Sequence, residues 1–393
     1  MPWTTNPQWD LESIFPGGIH GSSFLSHLKE AETNVLSLLP VADKLGEPGL
    51  DNQWDVVLPL LMAEGEKLGQ LYAFTGCHAA VDTEDTDKLR AEASVGSVWT
   101  KLSRAWTHPT QIIGRCSDTE FDTLITRSAL ADLTPMLIDM RATNHLLLPP
   151  GEQELLTELS QSALQGWNQL YDQVSGALRV DLNGETLSQA QVFNMGEVPE
   201  YDTRQDAFDA MVKAWEPTQE ACALALNHLT GTRSVVNRRL GVDELATPLA
   251  RNRISSKTLD VLMDTCVRSK PVLWRYLQAK ARLLGKDKLG FAHTRAPIGA
   301  SSTAMSYSDA QDFVVEQFSG FSGHMASFAE KAFSNHWVEA EDRSGKRHGA
   351  FCTGLPLTGE SRVFMTFSGR LGNILTLAHE LGHAYHNEVL VDV

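Results

Sequence analysis

Apolar positions recur at three- and four-residue spacing through most of the chain, the period of helices that bury one face. Over residues 152–178, Leu156, Leu159, Ala163, Trp167, Leu170, Tyr171, Val174 and Leu178 form one stripe and predict a long amphipathic helix. Residues 256–285 repeat the behaviour with Leu259, Leu262, Cys266, Leu273, Leu277, Ala281 and Leu284, and Pro271 marks a start, break or kink. Both stripes read as core rather than as cofactor contacts. The pattern changes over residues 349–369, where Val363, Met365 and Phe367 alternate with Phe364, Thr366 and Ser368, so two short strands joined by a turn are expected. Pro149-Pro150-Gly151 interrupts the helical pattern. Asn183-Gly184 followed by Gly196-Glu197-Val198-Pro199 suggests a strand-and-turn insertion. Divisions near 110 and near 200 follow, giving regions 1–110, 111–199 and 200–393. The expected fold is mostly α and multi-helical, with a small β-sheet beside the last helix.

That last helix carries the chemistry. His379-Glu380-Leu381-Gly382-His383 is an HExxH motif. At 100° per residue its two histidines lie about 40° apart around the axis and about 6 Å apart along it, so both rings can reach one ion. Glu380 sits beside that ion, where it suits a base acting on a zinc-bound water. Leu375, Leu377, Ala378, Leu381, Gly382 and Ala384 surround the three polar residues and predict a buried helix, in which ionisable groups need a compensating metal. The plain alternative is a pair of core histidines held by hydrogen bonds. His386 shares the histidine face and could ligate, at the cost of a one-sided shell; Glu388 points away. An exposed strand edge next to such a helix could hold an extended peptide by strand addition.

Composition narrows the setting. Thirty-three basic against 49 acidic residues give a net charge of −16, which argues against nucleic acid or an anionic membrane as partner. Five scattered cysteines, Cys77, Cys116, Cys222, Cys266 and Cys352, form no CxxC pair and fit a reducing cytoplasm. Cys352 lies beside the expected substrate strand, but no partner histidine marks it as a nucleophile. The opening Met1-Pro2-Trp3-Thr4-Thr5-Asn6 lacks a basic cluster and an apolar core, so a standard signal peptide is not expected. The acidic run from Asp82 to Asp87 lacks the glycine and distal glutamate of a calcium loop and reads as a solvated loop or helix start.

The run from Gly349 through Phe367-Ser368-Gly369 to Thr376 and His386 resembles the oligoendopeptidase F family, relatives of thimet oligopeptidase. Trp9-Asp10-Leu11 with Ile14-Phe15-Pro16-Gly17-Gly18, the stretches Asp202–Phe208 and Ala225–Leu229, Asn252-Arg253-Ile254-Ser255, and Lys288-Leu289-Gly290 with Ala296-Pro297-Ile298 extend the resemblance over essentially the whole chain. The resemblance makes 111–199 similar to the family's N-terminal helical domain and 200–393 part of its metallopeptidase catalytic domain. It implies one Zn2+ ion held by His379 and His383, Glu380 as general base, and hydrolysis of short oligopeptides. It also implies a third ligand, a glutamate, about two dozen residues beyond the motif, whereas ten residues follow His383. The expectation is therefore a zincin-type chain with its C-terminal part missing, either a fragment, a truncated product or a chain completed by another polypeptide. The alternative is a non-catalytic zinc- or peptide-binding remnant. His293 stands where the resemblance leads one to expect an aspartate, which affects a structural contact more than the chemistry.

Overall fold

The computed structural model describes residues 7–47, 53–299 and 305–390. The expectation drawn from Met1–Asn6 lies outside them.

The chain folds mostly as helices around two principal cores. Three long helices, α1 (Ser22–Ala42), α2 (Trp54–Val81) and α3 (Thr86–Arg115), form the first layer. Their inward stripes, including Val35, Leu58, Leu61, Leu68, Phe74, Val95, Leu102 and Ile113, make one buried cluster. Each such side chain contributes on the order of 2 kcal/mol through loss of contact with water. Phe15 sits edge-on to Phe24 and Phe74, with ring centroids 5.9 and 4.9 Å away, and pins the N-terminal segment to this layer. The acidic run is a helix start. Asp85 accepts from the backbone N–H groups of Asp87 and Lys88 and caps α3. Position 110 lies inside α3, whereas position 200 lies just before the helix Tyr201–Trp215.

The stripe over 152–178 becomes one helical rod in three pieces: Pro150–Ser160, a π-helical turn Gln161–Gln165, and Gly166–Ala177. The π turn shifts the phase of the stripe. Leu159 and Tyr171 each remain 47% exposed, so the expected continuous core does not form. The helix Ser256–Leu283 departs further. Pro271 is accommodated within it, but among its described residues only Lys280 and Ala281 are buried. Leu262, Leu273 and Trp274 are more than half exposed, because no described element packs over the face they form.

Asn183 and Gly184, with φ of 56° and 86°, turn β1 (Arg179–Leu182) into β2 (Glu185–Ser188) as an antiparallel hairpin. The second sheet has the order β3-β5-β4, with β3 at Val338–Glu339, β4 at Phe351–Leu355 and β5 at Glu360–Phe364. β4 and β5 are the two strands expected over 349–369, paired antiparallel with Phe351 opposite Phe364. β5 is central, however, with both edges paired, and α2 and the helix Leu371–Val389 pack against it. Ser361, Arg362, Val363, Phe364 and Met365 are all buried, and the expected in-and-out alternation is absent for that reason.

Arg362, fully buried, donates to the carbonyl of Asp10 and to the hydroxyl of Ser13, while the Ala340 N–H donates to the carbonyl of Pro7. The N-terminal segment is thereby clamped along the sheet. Beneath the sheet, Lys346 and Glu339 form an ion pair at 3.1 Å with both side chains 2% exposed, and Lys346 also donates to the carbonyls of Glu341 and Met365. Lys346→Met removes the nearer partner and leaves the buried Glu339 carboxylate with only the Arg343 guanidinium, 3.9 Å away. We expect a loss of about 3–5 kcal/mol in urea denaturation; a change below about 1 kcal/mol would show that the pair contributes little.

Candidate active site

The helix Leu371–Val389 carries the HExxH motif and packs on β4 and β5. Ile374, Leu377, Leu381 and Ala384 recur at helical spacing and are buried in the second core with Phe328, Trp337 and Val363. The opposite face is open. Leu375 is 63% exposed and His379, His383 and His386 are exposed, so the helix is amphipathic rather than buried all round as expected.

Its N-terminus is fixed by residues remote in sequence. The Asn373 Oδ1 accepts from the N–H groups of Ser368 and Arg370, holding the entry turn. Glu197, ion-paired with Arg295, accepts from the Gly372 N–H, where a carboxylate also suits the helix dipole. A Cβ at position 372 would come within 2.4 Å of Glu197 Oε1, so only glycine allows this approach. The turn 196–199, read from sequence only as punctuation, thus anchors the motif helix. Asn373 and Glu197 carry no local signal that singles them out.

Within the motif, the Nε2 atoms of His379 and His383 lie 3.1 Å apart with the rings at 89°. Zinc–nitrogen bonds of about 2.0–2.1 Å at a tetrahedral angle put two ligand nitrogens about 3.3 Å apart, so this pair fits one ion. Glu380 is 7% exposed, turned from the open histidine face toward the protein. Burial raises its carboxyl above the ordinary range, and His379 and His383 oppose that rise. Among the described residues, no group of three or more His, Cys, Asp or Glu side chains is arranged to hold a metal.

The remaining candidates separate clearly. Glu388 is taken by Lys331 at 3.0 Å, in line with its pointing away from the histidines. Burial pushes the Cys352 thiol up to about 12, and its sulfur lies 3.8 Å from the Asn387 amide, so it is a protonated packing residue. His293 is buried; its Nδ1 accepts from Arg204 Nε at 3.3 Å where a carboxylate was expected. Burial, Arg204 and Lys286 all lower its pKa, so a neutral ring replaces an ion pair there.

The outer strand beside the motif helix is β4, not the central β5. A cleft of about 290 Å3 runs along the N-terminal half of the helix, lined by Phe193, His348, Ala350, Met365, Asn373 and Thr376. Thr376 is one turn before His379. The arrangement offers two converging imidazole nitrogens, one buried carboxylate and an adjoining cleft that follows the sheet.

A family model described as Oligopeptidase F matches residues 113–179. The chain is similar to the oligopeptidase PepF of Bacillus subtilis (strain 168), 23% identical over 96% of this chain and 57% of that protein. It is also similar to the group B oligopeptidase PepB of Streptococcus agalactiae, 21% identical over 97% of this chain and 64% of that one. It therefore spans about three fifths of the length of these relatives. Among solved structures, PZ peptidase A with an inhibitor superposes with a TM-score of 0.73 at 15% identity, covering 91% of this chain and 62% of that one. The oligoendopeptidase F of Enterococcus faecium gives 0.63 at 18% identity, covering 79% and 66%. At these identities the solved structures speak for the fold alone.

Proposed function

We propose that this chain, a member of the oligoendopeptidase F family, acts as a zinc-dependent endopeptidase on short oligopeptides. The observation that carries the reading is the convergence of His379 and His383 at 3.1 Å beside the buried Glu380. Zinc, when bound, supplies Lewis acidity that polarises a carbonyl and makes water more acidic. His379 and His383, whose Nε2 atoms converge, would hold the ion. Glu380 takes the proton of the attacking water on its carboxylate and delivers it to the leaving amine nitrogen. Its raised pKa suits this exchange, since a carboxylate nearer neutrality both accepts and releases a proton. β4 and the adjoining cleft offer backbone and apolar contacts for an extended peptide.

A cytoplasmic setting belongs to the same reading: all five cysteines are free. No described helix is long and apolar enough to cross a membrane. A second reading, a zinc- or peptide-binding chain without turnover, is favoured by the lack of a third ligand group among the described residues.

The test is cleavage of a quenched fluorescent oligopeptide. Cleavage that stops with a chelator and returns with zinc supports the enzyme reading. Zinc binding without any cleavage supports the second, and chelator-insensitive cleavage rejects both.

A further inference from the structure

A second cavity, of about 270 Å3, lies where α2, α3, the rod that includes Gly166–Ala177 and the loop before β4 meet. Tyr72, Glu92, Gln165, Asn168, Asp172 and Arg347 line it. It neighbours the motif cleft through consecutive residues: Arg347 faces this cavity and His348 lines the cleft. The Arg347 N–H is bonded to the Ala80 carbonyl at 2.8 Å, which fixes the loop between the two spaces.

The charges do not cancel. Arg347 is committed to Asp172, Nη2 to Oδ2 at 3.1 Å. Glu92 has no hydrogen-bond or ion-pair partner among the described residues, so two carboxylates share the field of one guanidinium. Burial raises the Glu92 carboxyl above its usual range; Arg347 opposes this and Asp172 adds to it. Tyr72 pairs with Trp99 at 6.2 Å between ring centroids and walls one side with aromatic surface. The side-chain amides of Gln165 and Asn168 supply acceptors. An anion would meet two carboxylates and an arginine already engaged. A bare divalent cation lacks a third ligating side chain among the described residues. An alkylammonium satisfies the free carboxylate, the amide oxygens and the aromatic wall together.

We infer that this cavity is a subsite for the primary ammonium group of a bound oligopeptide, with Glu92 as its counter-charge. The inference rests on the peptide-hydrolase reading above. The ammonium is a free amino terminus or a lysine side chain, held across the Arg347–His348 step from the cleft that Thr376 lines one turn before His379. In either case the cavity selects peptides by a charge at a fixed distance from the scissile bond.

The test is calorimetric titration of the zinc-loaded Glu380→Gln protein, which removes turnover as a complication. Three octapeptides are compared: free amino terminus, N-acetylated without lysine, and N-acetylated with one lysine moved through the sequence. At least a tenfold weakening on acetylation identifies the amino terminus; recovery by lysine at one position identifies the side chain. In both cases Glu92→Gln added to the protein reduces the discrimination to less than twofold, as does Asp172→Asn, which frees Arg347 to repel the cation. Thermal melting of each variant beside its parent separates this from misfolding, and the two substitutions on different helices provide independent readings. Equal affinity for all peptides, or discrimination that persists in both variants, overturns the subsite while leaving the peptide-hydrolase reading intact. Absence of binding to any peptide overturns both.

Discussion

Glu380→Gln is expected to lower peptide hydrolysis by about two to four orders of magnitude, the range for loss of a positioned general base. The amide is nearly isosteric with the carboxylate but cannot accept and return the proton. Glu380 is 7% exposed and turned from the open face that carries the two proposed zinc ligands, so zinc and peptide affinity should change little. The loss should therefore appear in kcat rather than in KM. Equal hydrolysis by the variant and its parent removes Glu380 from the mechanism. Parallel loss of zinc would assign it to the metal shell instead.

His383→Ala is expected to act on the metal first, weakening zinc affinity by at least a hundredfold. Loss of a partner that merely orients a ligand costs about ten- to hundredfold, and loss of the ligand itself should exceed that. The side chain is exposed and its Nε2 meets only His379 Nε2 among the hydrogen bonds of the described residues, so folding stability should be nearly unchanged without metal. Zinc titration by calorimetry and metal-free thermal melting check both halves. Unaltered zinc affinity would place the ion elsewhere, and a collapse in metal-free stability would make His383 a structural residue.

The geometry of the histidine pair was legible because it is local. An i, i+4 pair of histidines on a helix can be drawn from spacing alone, and the structure brings the two Nε2 atoms to 3.1 Å. The helical character, the Asn183-Gly184 turn and the two strands before the motif were legible for the same reason. What periodicity cannot say is whether an apolar face has a partner. The stripe through Leu262 and Leu273 is a correct helix signal, yet no described element covers it. Strand order was equally hidden: β5 is central because β3 joins it from a separate stretch of chain. The grip of Glu197 on Gly372 spans 175 positions, and the Lys346–Glu339 pair is defined by the sheet above it. Such residues are indistinguishable from surface charges until the fold brings them together.

Joint binding of one zinc ion by His379 and His383 underlies the proposed activity. Zinc K-edge absorption spectroscopy of the purified protein, with zinc content measured on the same sample, tests it most directly. One zinc per chain with two imidazole nitrogens at about 2.0–2.1 Å is expected, falling to one imidazole in His383→Ala. A zinc shell without imidazole, or one unchanged by that substitution, would contradict it.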